Sequence, residues 1–284
     1  MTHGTTLILG GTGKTGGRLV RRLTAQGLPV RIGSRSGGLP FDWEQPATWG
    51  PALDGVHAAY VSYYPDLAVP GAVETVTAFT ELAVARGVQK LVLLSGRGED
   101  AALTCEKAFA AAAGSGNGAG SDADWTVLRC SWFSQNFSEG YLYEPVIGGT
   151  VALPAGPVGE PFIDADDIAD VAAAVLTEDG HTGRVYELTG PRLLTFADAV
   201  AAIAAATGRR VDYVRMELAD YATALAAEQV PADVAAFLTH LFGTVLDGRN
   251  ARVTDDVRRV LGRPARDFDD YAKDAAAAGA WNGA

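Results

Sequence analysis

The chain has 284 residues, 48% of them hydrophobic and 20% charged, so it is long enough to bury a sizeable core. Its formal net charge of −11 at pH 7 argues against nucleic acid and anionic membranes as main partners. The two cysteines, Cys105 and Cys130, lack metal-ligand spacing, and the sequence shows neither a signal-peptide pattern nor an apolar run of spanning length. We therefore expect a cytoplasmic protein without a metal site.

Short apolar strands alternate with helices through the first half of the chain. The predicted strands are Thr5–Gly10, Val30–Ser34, Phe41–Trp43, Ala58–Ser62, Lys90–Leu94 and Asp124–Arg129. The predicted helices are Gly13–Gln26, Gly71–Arg86 and Glu106–Ala113. This alternation is typical of a parallel sheet that is covered by helices on both faces.

The pattern changes after Ser131. An aromatic cluster is followed by a Pro/Gly-rich stretch at 148–161, and one more strand is predicted at Arg184–Leu188. The remainder is mainly helical around a short predicted strand near Val211–Val214. The low-complexity stretch Gly114–Gly120 is predicted to be a surface loop.

These elements predict an α/β fold, a Rossmann-type doubly wound parallel sheet with a small, mainly helical C-terminal subdomain. We expect a dinucleotide-binding domain at 1–190, with 130–165 contributing to the substrate pocket. Residues 191–284 are expected to form a cap on the substrate side. The sequence shows no internal repeat, and no clear linker is visible between the two domains.

A glycine-rich turn joins the first predicted strand to the first predicted helix. Gly10, Gly13 and Gly16 stand at the spacing GxxGxxG. In dinucleotide-binding folds the first glycine permits the tight turn, the second lets the backbone approach the pyrophosphate, and the third lets the helix pack closely on the sheet. The free N–H groups at the helix N-terminus then face the phosphates. This position and spacing predict a dinucleotide site.

The residues at the end of the second predicted strand indicate whether a dinucleotide-binding fold prefers NAD or NADP. Folds that prefer NAD carry an acid there, which holds the 2′-hydroxyl of the ribose. Here residues 31–36 contain no acid, and the next one is Asp42. Ser34 and Arg35 suit a 2′-phosphate, because Arg gives a planar charge-assisted contact and Ser a hydrogen bond. We predict NADP(H) as the cofactor, with Lys14 as a second positive charge near the phosphate.

Several motifs together resemble those of the NmrA-like atypical short-chain dehydrogenases/reductases. They are Gly10–Gly16, Arg35–Gly37, Leu93–Glu99, Trp125–Arg129, Phe133–Phe137 and Phe162–Ala169. The resemblance extends to about Pro264 and is close to the branch of NAD(P)H azoreductase-like proteins and festuclavine dehydrogenases. It implies a Rossmann fold and NADP(H) binding. It does not imply one reaction, because the family combines reductases with redox sensors that catalyse nothing.

The resemblance also implies the residues that contact the cofactor. The glycine turn would meet the pyrophosphate, the end of the second strand the 2′-phosphate, and the later strand ends the adenine, ribose and nicotinamide. The residues concerned are Gly10, Thr12, Gly13, Lys14, Thr15, Gly16, Ser34, Arg35, Asp42, Trp43, Ser62, Tyr63, Ser95 and Cys130.

The catalytic residues depart from the usual pattern. Ordinary short-chain dehydrogenases use Ser, Tyr and Lys, with Tyr and Lys four residues apart on one helix face. Ser95 stands at a predicted strand end and Lys107 on the following helix, but Leu103 occupies the Tyr position. We predict Ser95 and Lys107 as catalytic residues, with Lys107 orienting the ribose or acting as the acid. The missing Tyr puts alcohol and ketone chemistry in doubt.

Two functions follow from this pattern. In the first, the protein is an NADPH-dependent reductase that transfers hydride to a small aromatic or polycyclic acceptor, such as a quinone, an imine or iminium, an azo compound or an activated alkene. In the second, it is a non-catalytic NADP(H) sensor that binds a protein partner. We favour the reductase, as a monomer or a homodimer. Its predicted substrate pocket consists of Tyr63, Tyr64, Trp132, Phe133 and Phe137.

Overall fold

A computed structural model describes residues 4–35, 39–114 and 122–282, so most of the predicted loop Gly114–Gly120 lies outside the described residues. The chain divides into two compact units, each with its own hydrophobic core. The first unit comprises Met1–Cys130, Ala165–Leu188 and Asp256–Arg263. The second comprises Ser131–Asp164, Thr189–Asp255 and Pro264–Ala284.

Strands and helices alternate along the chain. The strands are Thr5–Leu9 (β1), Val30–Gly33 (β2), Val56–Val61 (β3), Lys90–Gly96 (β4), Asp124–Cys130 (β5), Thr150–Leu153 (β6), Arg184–Leu188 (β7) and Asp212–Arg215 (β8). The α-helices are Lys14–Ala25 (α1), Trp49–Leu53 (α2), Ala72–Ala85 (α3), Asp100–Ala113 (α4), Asn136–Glu139 (α5), Tyr143–Ile147 (α6), Ala165–Thr177 (α7), Phe196–Thr207 (α8), Leu218–Ala227 (α9), Ala232–His240 (α10), Asp256–Leu261 (α11) and Phe268–Ala277 (α12). A 3₁₀ turn covers Pro46–Thr48 and a π-helical turn covers Leu241–Val245. Within the described ranges, no helix is both long enough and apolar enough to cross a membrane.

The first unit contains a six-stranded sheet in the order β2-β1-β3-β4-β5-β7. All neighbouring strands are parallel, so their carboxyl ends meet at one edge. Leu7 and Leu9 of β1 pack in one cluster with Phe79 of α3 and Phe109 of α4. On the other face, Tyr60 of β3 donates its hydroxyl to Thr15 of α1. Helices therefore cover both faces, and the predicted Rossmann-type sheet is confirmed.

The strand predicted at Phe41–Trp43 is wrong. Phe41 donates its N–H to the carbonyl of Ser34, but the segment forms no strand. Its aromatic rings pack against α3 instead, with Phe41 buried and Trp43 half-buried, at 5.7 and 5.2 Å from the ring of Phe79. A short apolar run has the same composition whether it forms a strand or packs against a helix without forming one. Only the hydrogen bonds of its backbone distinguish the two cases.

The second unit has a two-stranded sheet, and the sequence predicted only one of its strands. β8 lies one residue later than the strand predicted near Val211–Val214, and it pairs in parallel with β6. β6 falls in the Pro/Gly-rich stretch, where turn residues on both sides of a four-residue strand conceal its pattern. Helices surround this pair, and their apolar side chains form the second core.

A chain of buried and half-buried charged side chains joins α4 to β5 and β7 in the first unit. The Ser95 hydroxyl donates to Glu106 Oε1 at 2.6 Å, and Arg129 Nε donates to the same oxygen at 3.0 Å. Arg129 Nη1 and Arg97 Nε then reach the two oxygens of Glu187 at 3.1 and 3.2 Å. The two guanidinium and two carboxylate charges cancel. A buried charge is tolerated when its partner remains in place, and it is costly when the partner is removed.

The Glu106→Gln variant should therefore lose stability, because Arg129 keeps its charge but loses its main carboxylate partner. We expect the free energy of unfolding to fall by about 2–4 kcal/mol. The matched control is Lys107→Gln, which changes an exposed neighbour on the same helix and should leave the midpoint of urea unfolding unchanged. Equal midpoints for the two variants would contradict the role of the charge chain.

Candidate functional site

The turn between β1 and α1 exposes backbone at the N-terminus of a helix. Gly10 has a φ of +66°, a conformation that favours glycine, and its carbonyl accepts the N–H of Gly13 at 2.8 Å. A Cβ on Gly16 would collide with the carbonyl oxygen of Gly10, so only glycine lets α1 approach this closely. Gly10, Thr12 and Gly13 are exposed, and the first turn of α1 carries no acid. This arrangement suits a bound phosphate.

Not every residue of the predicted turn faces outward. Thr15 is 5% exposed, and its Oγ1 accepts the hydroxyl of Tyr60 at 3.0 Å. Its side chain therefore anchors the first turn of α1 to the sheet. Lys14 is half-buried, and its carbonyl oxygen accepts a hydrogen bond from Arg18. Gly10, Thr12 and Gly13 are the members of the turn best placed to meet a ligand through their backbone.

A hydroxyl and a guanidinium lie at the carboxyl end of β2. The Ser34 Oγ is buried and has no hydrogen-bond partner within the part of the chain that the structure describes. Arg35 is exposed, and its guanidinium carbon lies 5.4 Å from the centre of the Tyr64 ring. Tyr64, predicted for the substrate pocket, is thus brought beside Arg35. Arg31 is turned away, because it donates to the carbonyls of Ala52 and Asp54.

Asp42 follows this segment, and its carboxylate is bound locally. One oxygen accepts the N–H of Glu44 at 3.0 Å, and the other accepts the amide of Gln45 at 3.1 Å. The Asp42 carbonyl accepts the indole of Trp49 at 2.9 Å. These bonds shape the turn that leads to the 3₁₀ segment.

The aromatic side chains of Trp43 and Tyr63 lie beside the glycine turn. Trp43 donates its indole N–H to the carbonyl of Ser62 at 3.3 Å, and its ring lies 5.0 Å from that of Tyr63. The Ser62 side chain faces Gly10, since a Cβ there would lie 3.5 Å from Ser62 Oγ. The structure therefore brings together the residues predicted for the adenine and the ribose with the first glycine of the turn.

The structure does not bring Ser95 and Lys107 together. Ser95 is 4% exposed and its hydroxyl is bound to Glu106, whereas Lys107 is exposed. Adjacent residues on a helix point about 100° apart, so when Glu106 faces the sheet Lys107 faces solvent. Cys130 is also buried, and burial, followed by the charge of Glu106, raises the pKa of its thiol. Sequence reasoning missed Glu106, although Arg129 on the next strand was a signal for a buried acid.

The aromatic residues predicted for the pocket in the second unit have different surroundings. Phe137 is fully buried, and its carbonyl accepts the indole of Trp281 at 2.9 Å, so it belongs to the core. Trp132 and Phe133 are half-buried. The ring of Trp132 packs at 5.2 Å from that of Phe196, which leaves part of its surface open.

Two further carboxylates at the carboxyl edge of the sheet were not singled out from the sequence. Glu99 follows β4 and is 8% exposed, while Asp66 follows β3 and is half-buried. Burial, and then the negative charge of Asp66, raises the pKa of Glu99 to about 8. Because the two residues are 33 positions apart, as their numbers show, no local pattern announces the pair.

Relatives of known name span almost the whole chain. It is 33% identical to the uncharacterized oxidoreductase YesF of Bacillus subtilis, over 94% of this chain and 93% of that protein. It is 32% identical to NAD(P)H azoreductase of Xenophilus azovorans, over 96% of this chain and 98% of the relative. No protein-family model matches the chain.

A solved structure shows the same fold. NmrA, a negative transcriptional regulator crystallised with NAD, superposes with a TM-score of 0.71 at 17% identity, covering 98% of this chain and 97% of its own. The fold of this chain agrees with that of NmrA. YesF and the NAD(P)H azoreductase both exceed 30% identity with the chain over nearly their full length. The chain therefore belongs to the family of NmrA-like atypical short-chain dehydrogenases/reductases.

Proposed function

We propose that the protein is an NADPH-dependent reductase that transfers hydride to a small, flat, electron-poor acceptor. The observation that carries the cofactor assignment is the pair Ser34–Arg35 at the carboxyl end of β2, in the same unit as the exposed glycine turn. A hydroxyl and a guanidinium suit a 2′-phosphate, whereas an acid there would repel it. The name of the Xenophilus azovorans relative, an NAD(P)H azoreductase, supports the same cofactor.

The residues of the first unit fit the remainder of this cofactor. Gly10, Thr12 and Gly13 offer backbone for the pyrophosphate, and Trp43 and Tyr63 offer aromatic surface beside it. The hydroxyl of Ser34, which has no hydrogen-bond partner among the described residues, would gain an acceptor from a bound phosphate oxygen. Bound NADPH supplies a hydride from its nicotinamide ring.

The surroundings of Ser95 favour an acceptor that needs no Tyr–Lys pair. Leu103 stands at the Tyr position, and Lys107 faces solvent. Quinones, iminium ions, azo groups and activated alkenes are electron-poor enough to accept hydride without that pair.

The Arg35→Ala variant should lose its preference for NADPH. Loss of one charge-assisted contact with the 2′-phosphate should raise the Kd for NADPH about 10–100-fold. The Kd for NADH, which lacks this phosphate, should change less than about twofold on the same reasoning. Calorimetry with Arg21→Ala as control, an exposed arginine on α1, separates this contact from a general loss of positive charge. Equal weakening of both cofactors by Arg35→Ala would contradict the assignment.

The wild-type protein should oxidise NADPH in the presence of at least one acceptor class among quinones, iminium ions and azo dyes. Loss of NADPH absorbance measures the rate, and Arg35→Ala should raise the KM for NADPH while leaving kcat close to that of the wild type. Tight NADPH binding without oxidation by any of these acceptors would contradict the reductase and favour the sensor.

A further inference from the structure

Glu99 is a buried acid at the edge of the sheet where the strands end. It follows β4, and Asp66 follows β3, so these two neighbouring parallel strands bring both carboxyl groups to one edge. In open α/β sheets ligands bind outside this edge. Glu99 is 8% exposed, and its Oε2 has no hydrogen-bond partner in the described portion of the chain. The cofactor contacts proposed above do not use either residue.

The backbone explains how Glu99 comes to be buried. A Cβ on Gly96 would lie 2.6 Å from Glu99 Oε1, so the side chain folds back over the last residue of β4. The absence of a side chain at Gly96 makes room for the carboxyl group. The Glu99 carbonyl accepts the N–H of Leu103 at 3.1 Å as α4 begins, which fixes the backbone from which the side chain leaves.

The hydrogen bonds indicate which of the two carboxyl groups holds a proton. Asp66 Oδ1 accepts the N–H of Ala68 at 2.8 Å, a bond that favours the charged form. Burial nevertheless raises the pKa of Asp66, as it does that of Glu99. Within the described residues, Glu99 Oε2 has no partner that would stabilise its charge in the same way, so we expect the proton on Glu99 near neutral pH.

Other ionisable groups stand around the pair. The thiol of Cys105 on α4 is buried, and burial, followed by the charges of Glu106, Asp66 and Glu74, raises its pKa, so it stays neutral. Arg97, two residues before Glu99, is hydrogen-bonded to Glu187. Asp66 therefore dominates the electrostatic surroundings of Glu99.

We propose that Glu99, set against Asp66, is the proton donor of the reductase. This inference rests on the proposed function. In the reduction of a quinone, one hydride with its two electrons passes from NADPH to the quinone, and the O–H bond of Glu99 breaks as its proton bonds to a quinone oxygen. The products are the hydroquinone, NADP⁺ and the Glu99 carboxylate, which regains a proton from water. Glu99 thus supplies what Tyr supplies in ordinary short-chain dehydrogenases.

Two acceptors with different proton demands test this role. A neutral quinone needs a hydride and a proton, whereas a triphenylmethane cation becomes a neutral product with a hydride alone. At pH 7, Glu99→Gln should lower kcat with the quinone by about 100-fold or more, the usual contribution of a positioned acid. Reduction of the cation should stay within about twofold, since no proton is transferred. Asp100→Asn, which changes the exposed acid next to Glu99 at the start of α4, should change neither rate.

The pH dependence gives a second arm. The acid form of Glu99 is lost as the pH rises through about 8, so quinone reduction by the wild type should fall there. Glu99→Gln should lack this fall. Asp66→Asn removes the neighbouring charge and should move the fall to lower pH.

An infrared titration of the cofactor-free protein provides a readout that does not depend on turnover. The wild type should show a carboxylic acid band near neutral pH that disappears above about pH 8, and Glu99→Gln should lack it. Absence of this band, or equal loss of both reactions in Glu99→Gln, would overturn the donor role while leaving the reductase intact. Failure of the wild type to reduce either acceptor would instead overturn the proposed function, and the donor role with it.

Discussion

The approach of α1 to the backbone of Gly10 is the contact on which the cofactor side of the first unit depends. Gly16 allows it, because any side chain there would strike the Gly10 carbonyl. The hydrogen bond between Tyr60 and Thr15 fixes the same turn of helix to the sheet. With the helix held in this position, its N–H groups open onto the edge where β1 and β3 end. The phosphate site that we propose here would therefore depend on packing and on backbone groups.

One member of the charge chain, Ser95, stands where ordinary short-chain dehydrogenases carry their catalytic serine. Ser95 keeps its position at the end of β4, but its hydroxyl serves Glu106. Glu106 in turn balances Arg129, so the serine is part of a structural network. These polar groups stabilise the sheet, so their presence at this position does not indicate which reaction the protein catalyses.

Local patterns predicted most of the first unit. The alternation of strands and helices placed the sheet, and the glycine turn and Ser34–Arg35 were found from neighbours in sequence. Prediction failed where a side chain's partner lies far along the chain. Phe41–Trp43 has the composition of a strand, yet it packs against α3 instead.

The candidate site shows the same limit at finer scale. Glu106 and Lys107 are adjacent, and only the rotation of α4 against the sheet decides that Glu106 faces inward. Glu99 owes its burial to the bare backbone of Gly96 and its electrostatics to Asp66 on another strand's loop. Neither the inward orientation of Glu106 nor the surroundings of Glu99 can be predicted from residue types at a fixed spacing in the sequence.

The stacking of Arg35 on the exposed ring of Tyr64 has a consequence for the entropy of recognition. An arginine side chain that becomes fixed on binding loses about 2 kcal/mol of rotamer freedom. Here the ring limits the guanidinium before any phosphate arrives, while the N–H edge stays available. Part of the ordering cost is therefore incurred during folding. In the proposed cofactor site, Tyr64 would thus favour binding of the 2′-phosphate through the conformational freedom that it removes from Arg35.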